Sequence, residues 1–430
     1  MSKKRLEALR RFLDHVHRVL ALEFGFLLWD GSTVPETWER DGLCVFIADE
    51  GVVAGLVRQP NLRTFANLWA AARLDIRNGT IFDLVARRPS VRTRDLRKTL
   101  KKSLLLRTAL RFLFVARGGP WPLEDIRASR ASGGDAAVNK KNISYHYDVS
   151  NAFYELWLDP EMVYSCSYFT NWENGLAQAQ LDKLEMCCRK LRLQPGETLL
   201  DVGCGWGAFL IHAAKHYGVR GYGVTLSEQQ LSYAREKIER LGLEDRVRIE
   251  LKNYAAIDGV FDKAVSIGMA EHVGLDNLPA YFEMVHRALR PGGLYLHHAI
   301  TRPGKSRQAG TRRKRPEFAA LTQYIFPGGE LDTIGRTVTR LETSGFEIHD
   351  VEGWREHYQR TCRNWHDRLL SRMEAAIAEV GSVKARIWLL YLAGCSLAFE
   401  RNSVGIYQTL ASKRVKGASG LPPTRADLYR

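Results

Sequence analysis

The sequence predicts an α/β fold built on a doubly wound, Rossmann-like parallel sheet, with a smaller α+β domain in front of it. Three observations predict this. An apolar strand at 198–202 runs straight into Gly203-Cys204-Gly205-Trp206-Gly207, with a helix starting near Ala208. Helix and strand patterns then alternate, as a parallel sheet with crossover helices requires. At 430 residues the chain is long for one hydrophobic core, so two domains are expected.

Taken in order, the front of the chain shows helical periodicity at 4–22, short strands near 24–29 and 43–48, and a helix at 62–72. Gly118-Gly119-Pro120 and Ala131-Ser132-Gly133-Gly134-Asp135 read as breaks and a mobile link. Helices follow at 178–191, 208–217, 229–241 and 279–289, the last just before Pro291-Gly292-Gly293. They are interleaved with strands at 198–202, 221–224, 247–251, 261–267 and 293–297, and further helices fall at 364–379 and 382–399. The expected division is 1–117 for the first domain and a basic connector helix, 118–141 for a linker, 142–415 for the sheet domain and 416–430 for a tail.

Glycines at 203, 205 and 207 let the chain turn tightly, approach a ligand closely and enter a helix without Cβ collisions. On spacing alone a plain tight turn reads equally well. The second strand, however, leads into Thr225-Leu226-Ser227 and Gln230, small hydroxyls and amides where a doubly wound fold reads ribose and adenine. The spacing departs from Gly-x-Gly-x-x-Gly, and no phosphate-binding Lys-Ser/Thr follows. A ligand with ribose and adenine but no pyrophosphate fits better, and S-adenosylmethionine is such a ligand.

The formal charge of +15 is concentrated in two stretches. Residues 87–117 carry a net +10 and residues 302–316 a net +7, leaving the remainder nearly neutral. Local basic charge suits a polyanionic surface. In the first stretch Leu104, Leu105, Leu106, Leu110, Phe112, Leu113 and Phe114 accompany the cations, which favours an interfacial membrane helix over nucleic acid. A linking helix packed on the core remains the alternative. Seven cysteines without a Cys-x-x-Cys pair indicate neither a disulfide framework nor a metal site. Asp14, His15, His17 and Arg18 interrupt any signal-peptide core, and the apolar window 104–115 is too short and too charged to cross a bilayer. The expected location is cytoplasmic, peripheral on the inner face of the cell membrane.

Many motifs in order resemble the cyclopropane-fatty-acyl-phospholipid synthase family, S-adenosylmethionine-dependent methyltransferases related to mycolic acid cyclopropane synthases, over about 142–415. They are Tyr145-His146-Tyr147-Asp148, Leu158-Asp159-Pro160, Tyr164-Ser165-Cys166, Asp201 to Gly207, Val224-Thr225-Leu226-Ser227, Gly268-Met269-Ala270-Glu271-His272-Val273-Gly274, Pro291-Gly292-Gly293, His298-Ala299-Ile300, Tyr324-Ile325-Phe326-Pro327-Gly328-Gly329 and His357-Tyr358. The resemblance implies a class I methyltransferase sheet with an antiparallel ending after Gly345. It also implies methylene transfer to the cis double bond of unsaturated phospholipid acyl chains, and possible homodimers. Residues 74–84 resemble the small sterol-carrier-like, lipid-binding domain at the front of long members.

Methylation of an isolated alkene leaves a carbocation. The site must exclude water, offer aromatic faces and hold a base that removes a proton so the ring closes. Aromatic residues recur in the motifs at Tyr145, Tyr147, Phe153, Tyr154, Trp157, Tyr164, Tyr168, Phe169, Tyr324, Phe326 and Tyr358. The resemblance implies a bicarbonate ion as the base, held by Cys166, Glu271, His298, Ile300 and Tyr358. Tyr and His would donate to the anion, main-chain N–H groups at Ile300 or Cys166 would contribute, and Glu271 would accept the anion's own proton. Cys166 reads equally as a small buried hydrophobe. His297, adjacent on its strand, should face the opposite way from His298. For S-adenosylmethionine the resemblance implies Tyr164, Ser165, Gly203, Gly205, Thr225, Leu226, Gln230, Asn253, Tyr254 and Ile267.

Two departures stand out. Asn253 replaces an acid that accepts from the adenine amine, and Ala270 replaces an aromatic before Glu-His, which widens the acyl channel or lowers cation stabilisation. The loop 302–315 is expected either to bind headgroup phosphates of an anionic membrane or to be solvated. The alternatives to a cyclopropane product are a methyl-branched or methylene fatty acid, or a non-catalytic membrane lipid-binding protein. A nucleic-acid methyltransferase lacks its motifs here.

Overall fold

The computed structural model describes residues 3–88, 100–124, 149–304, 325 and 329–429. Residues 89–99, 125–148, 305–324 and 326–328 lie outside them, and with these the linker beyond 124, the motif 145–148, Tyr324, Phe326 and all but 302–304 of the basic run 302–316. The described residues divide into two compact units, the first holding those up to 124 and 381–393, the second those at 149–304, 325–380 and 394–429.

In the first unit, the helix Lys3–Leu20 precedes a four-stranded sheet of order β2-β1-β3-β4. The strands are β1 (Gly25–Leu28), β2 (Thr33–Val34), β3 (Cys44–Ile47) and β4 (Leu74–Arg77), with β1 and β3 parallel. Between β3 and β4 lie the helices Glu50–Arg58 and Leu62–Ala70. Asp49 caps the first of them by accepting from Gly51 N and Val52 N, and it pairs with the buried Arg73 guanidinium. Arg73 also donates to the carbonyls of Arg117 and Gly118, so the chain after the connector helix is held by the same cation.

Within the expected span 142–415, residues 381–393 group with the first unit. Arg386 donates to Trp69 O and Asp75, partners more than 300 residues away that no local pattern reveals. The helix carrying it, Ser382–Glu400, is also the one helix among the described residues long and apolar enough to cross a membrane. Just over half of it is buried in the protein, as in the core helix of a globular domain.

The second unit is a seven-stranded sheet of order β10-β11-β9-β8-β5-β6-β7. The strands β5 (Thr198–Val202), β6 (Arg220–Thr225), β7 (Val247–Leu251), β8 (Phe261–Ile267) and β9 (Leu289–Thr301) are mutually parallel where they pair. β10 (Phe346–Gly353) and β11 (Gly405–Lys413) add antiparallel strands beyond β9, the ending the resemblance implied. The order reverses at β5, where the chain passes first to β6 and later to β8, which creates a crevice at the strands' carboxyl ends. Apolar cores fill both faces of the sheet, one around Leu199, Leu210, Val265 and Leu296, the other around Leu200, Val224, Tyr281 and Tyr295.

Two elements differ from expectation. β9 continues through Thr301 instead of ending at 297, since β11 pairs with it from Leu294 to Thr301 and supplies hydrogen bonds that sequence periodicity cannot show. The helix expected at 364–379 starts at Arg355 and breaks at Arg372, giving Arg355–Ser371 and Met373–Val380. The tail folds back, with Arg192 paired to Asp427 and Arg425 to Asp350.

Candidate active site

The glycine turn closes the end of β5. Gly203 (φ +84°) and Gly205 (φ +54°) are in the left-handed region, for different reasons. A Cβ at Gly203 would lie 2.3 Å from Met269 Sδ, so that glycine is required for packing. A Cβ at Gly205 would meet nothing within 4 Å, so its backbone faces open space that a ligand can enter. Gly207 then leads into the helix Ala208–Tyr217.

The other residues expected at the cofactor lie around the same strand ends. Thr225, at the end of β6, donates its hydroxyl to Gln230 Oε1 at 2.7 Å, and Leu226 follows half-buried. Ser227 caps the helix Glu228–Arg240. Asn253, after β7, spends Oδ1 on Ala255 N at 2.9 Å, and Tyr254 meets Tyr281 edge-on at 5.1 Å. Ile267 ends β8. Ser165 Oγ accepts from the buried Lys183 Nζ at 3.0 Å, and Tyr164 sits among Tyr154, Trp157 and Trp365, all within 5.7 Å between ring centroids. These residues and the open space at Gly205 fit an adenosine-bearing ligand at the crevice.

Of the five positions expected to hold an anion, four are placed by three elements, and Cys166 lies in an irregular segment. Glu271 lies in the short helix Ala270–Val273, just beyond β8. Its Oε1 accepts Ile300 N–H at 2.6 Å, and its Oε2 is buried without a partner. Burial pushes its carboxyl up to about 7, opposed by that main-chain donor. This corrects one expectation: the Ile300 N–H is already used by Glu271 and is not free for an anion. His298 is buried on β9, its Nδ1 3.0 Å from Gln408 Nε2 and its Nε2 unpartnered. Burial, then the charges of Lys183 and Lys190, hold its pKa well below the ordinary value, so it is neutral.

Cys166 is fully buried, with Sγ 3.3 Å from Ser167 O and 3.8 Å from Trp354 O. Burial raises its pKa far enough that it remains a thiol. Tyr358, on the helix Arg355–Ser371, packs on Phe399 at 4.6 Å; burial raises its phenol, with Cys166 and Tyr164 among its electrostatic neighbours. Buried Cys166, His298 and Lys183 therefore share one electrostatic environment, and Lys183 also bears on Asp201, which burial pushes up to about 7.

His297 faces the opposite side of the sheet, with Tyr295 OH on Nδ1 at 3.0 Å and Phe282 edge-on. His357 is used structurally, accepting Phe169 N–H at 2.9 Å and stacking on Tyr168. Sequence reasoning passed over Lys183, Lys190, Gln408 and Trp354. One signal was available: both lysines lie on the apolar stripe of the helix Leu176–Leu191, among Leu184, Cys187 and Leu191, where a charged residue has to be explained. Among the described residues no group of three or more His, Cys, Asp or Glu could hold a metal.

The doubly wound sheet with its cofactor crevice defines a class I, S-adenosylmethionine-dependent C-methyltransferase. Residues 135–409 match the mycolic acid cyclopropane synthetase family, and the chain belongs to it. It is 44% identical over 311 residues to a "Probable fatty acid methyltransferase" of Pseudomonas putida, covering 71% of this chain and 78% of that one. It is 34% identical over 278 residues to "Cyclopropane mycolic acid synthase 3" of Mycobacterium tuberculosis, 63% of this chain and 96% of that one. Among solved structures it resembles the mycolic acid cyclopropane synthase CmaA1 complexed with SAH and CTAB, with TM-score 0.61 and 33% identity over 64% of this chain and 98% of that one. The protein is an S-adenosylmethionine-dependent C-methyltransferase of the mycolic acid cyclopropane synthetase family.

Proposed function

We propose that this enzyme adds a methylene from S-adenosylmethionine across the cis double bond of unsaturated phospholipid acyl chains, with bicarbonate as the base. The observation that carries the bicarbonate reading is the pair of buried, unpartnered atoms Glu271 Oε2 and His298 Nε2. One is an acceptor when ionised; on a neutral ring the other is a donor when it carries the ring's single N–H. A small anion bearing its own proton has both the donor and the acceptor that these two atoms lack. Tyr358 adds a phenolic donor, Cys166 a neutral thiol, and Ile300 orients Glu271.

S-adenosylmethionine supplies the methyl group, and bicarbonate supplies the base that removes a proton from it after addition. The chain's own residues do the rest. Glu271 receives and orients a proton at Oε2, with Oε1 anchored to Ile300. Tyr154, Trp157, Tyr164 and Trp365 form a packed aromatic group beside Tyr358 that excludes water and offers ring faces to positive charge.

Action at an anionic membrane is supported by the helix Lys102–Phe112. Thr108 and Phe112 are its buried residues, whereas Leu105, Leu106, Leu110, Leu113 and Phe114 are exposed, Phe114 to 90%. Lys101, Lys102, Arg107 and Arg111 flank this apolar surface. An interfacial helix combines the same features.

A second reading, a methyl-branched or methylene product, is favoured by Ala270, buried where the family resemblance implied an aromatic ring, and by the name of the Pseudomonas putida relative. Purified protein incubated with S-adenosylmethionine and vesicles of an anionic cis-monounsaturated phospholipid separates the two. High-field cyclopropane ring protons in the acyl methyl esters establish the first; a methylated product without them establishes the second. Turnover of free fatty acids but not of vesicles would overturn the phospholipid assignment.

A further inference from the structure

Glu352, Gln408 and His298 form one row across three adjacent strands: Glu352 is the register partner of Gln408 on β10 and β11, and Gln408 that of His298 on β11 and β9. Lys190, buried on the helix Leu176–Leu191, covers this row. Its ammonium pairs with Glu352, donates to Gln408 Oε1 at 2.8 Å and sits 5.2 Å from the Trp354 ring, which in turn meets His298 edge-on.

An ammonium can only donate, so the atom of Gln408 that faces Lys190 is the amide oxygen. The amide nitrogen is then committed as a double donor, to His298 Nδ1 at 3.0 Å and to Cys187 Sγ at 3.3 Å. Both N–H donors of the amide and one lone pair of its oxygen are used. A nitrogen that receives an N–H carries no proton, so the proton of the neutral imidazole is on Nε2, the buried atom without a partner.

We propose that Gln408, locked by Lys190, is a positioning residue that fixes His298 as its Nε2-protonated tautomer and so presents an N–H to the reacting site. Without the lock the amide can flip, its oxygen then takes a proton on Nδ1, and Nε2 presents a lone pair that repels an anion. A glutamine held by a lysine thereby decides whether the histidine attracts the site's ligand. This rests on the reading of His298 as an anion-holding residue.

The test is imidazole 15N NMR of histidine-labelled full-length protein, with the His298 resonances identified by their loss in His298→Gln. Wild type is expected to show protonated Nε2 and unprotonated Nδ1. Gln408→Glu keeps the shape and the Lys190 partner but turns an acceptor toward Nδ1, and is expected to move the proton there. Its kcat on unsaturated vesicles should fall about 10–100-fold with KM for S-adenosylmethionine unchanged, as removal of a ligand-orienting partner does in metal sites. Lys190→Arg, which restores a donor, should retain the tautomer and activity that Lys190→Met loses. Nδ1 protonation in wild type, readable even if the Gln408 and Lys190 variants misfold, overturns the inference, as does a Gln408→Glu protein with the switched tautomer and full turnover. Full activity of His298→Gln would instead overturn the site reading on which it rests.

Discussion

Glu271 Oε1 accepts the main-chain N–H of Ile300 at 2.6 Å, a contact across 29 residues that ties the short helix after β8 to the carboxyl end of β9. It uses one carboxylate oxygen for structure and leaves the other buried and unpaired, next to the strand that carries His298.

Glu271→Gln is expected to lower turnover about 10²–10⁴-fold, the range for loss of a positioned proton-handling group. Its stability effect has a defined sign. The folded carboxyl titrates near 7, above its ordinary 4.5, so stability present below pH 4.5 is lost as pH rises through 7. That loss is on the order of 3 kcal/mol. The melting temperature of the variant relative to wild type should therefore rise between pH 5 and pH 8, Asp201 contributing equally to both proteins. A difference independent of pH would show that Glu271 titrates normally.

Tyr358→Phe removes a donor and leaves the ring against Phe399. A hydrogen bond to a charged partner is worth about 1.5–3 kcal/mol, so turnover should fall about 10–100-fold. Calorimetric affinity for S-adenosylmethionine should be unchanged; a matching loss of affinity would move Tyr358 to the cofactor.

The glycine turn separates packing from binding. Gly203→Ala puts a methyl against Met269 Sδ at a φ of +84° and should lower the melting temperature markedly. Gly205→Ala has only the left-handed strain, about 1–2 kcal/mol, and should fold while binding S-adenosylmethionine more weakly. Equal affinity in Gly205→Ala and wild type would place the ligand elsewhere.

Replacing Leu106, Leu110 and Phe114 together by Ser should leave stability nearly intact, because all three are exposed. Flotation with anionic vesicles should drop at least about 10-fold, given roughly 1.5–3 kcal/mol for each fully buried large apolar side chain. Unchanged flotation, or a change only in oligomeric state by light scattering, would assign this surface to a second copy of the chain.

What the sequence determined by itself was everything encoded in short-range chemistry. The glycine turn, the caps at Ser227 and Asn253, and the alternation that makes β5 to β8 parallel are all set by residues within a few positions of one another. The opposed directions of His297 and His298 follow from the pleat alone. The anion-holding set was legible only as a resemblance, because its members are spread from Cys166 to Tyr358. Tertiary structure alone decided which hydrogen bonds those residues have left to offer. Ile300's N–H is taken because Glu271 reaches it, and His298's tautomer is set because strand register brings Gln408 beside it and a lysine 218 residues from that glutamine covers both. Such pairings depend on sheet order and on burial, where an unmade hydrogen bond is costly, and neither is written in local sequence.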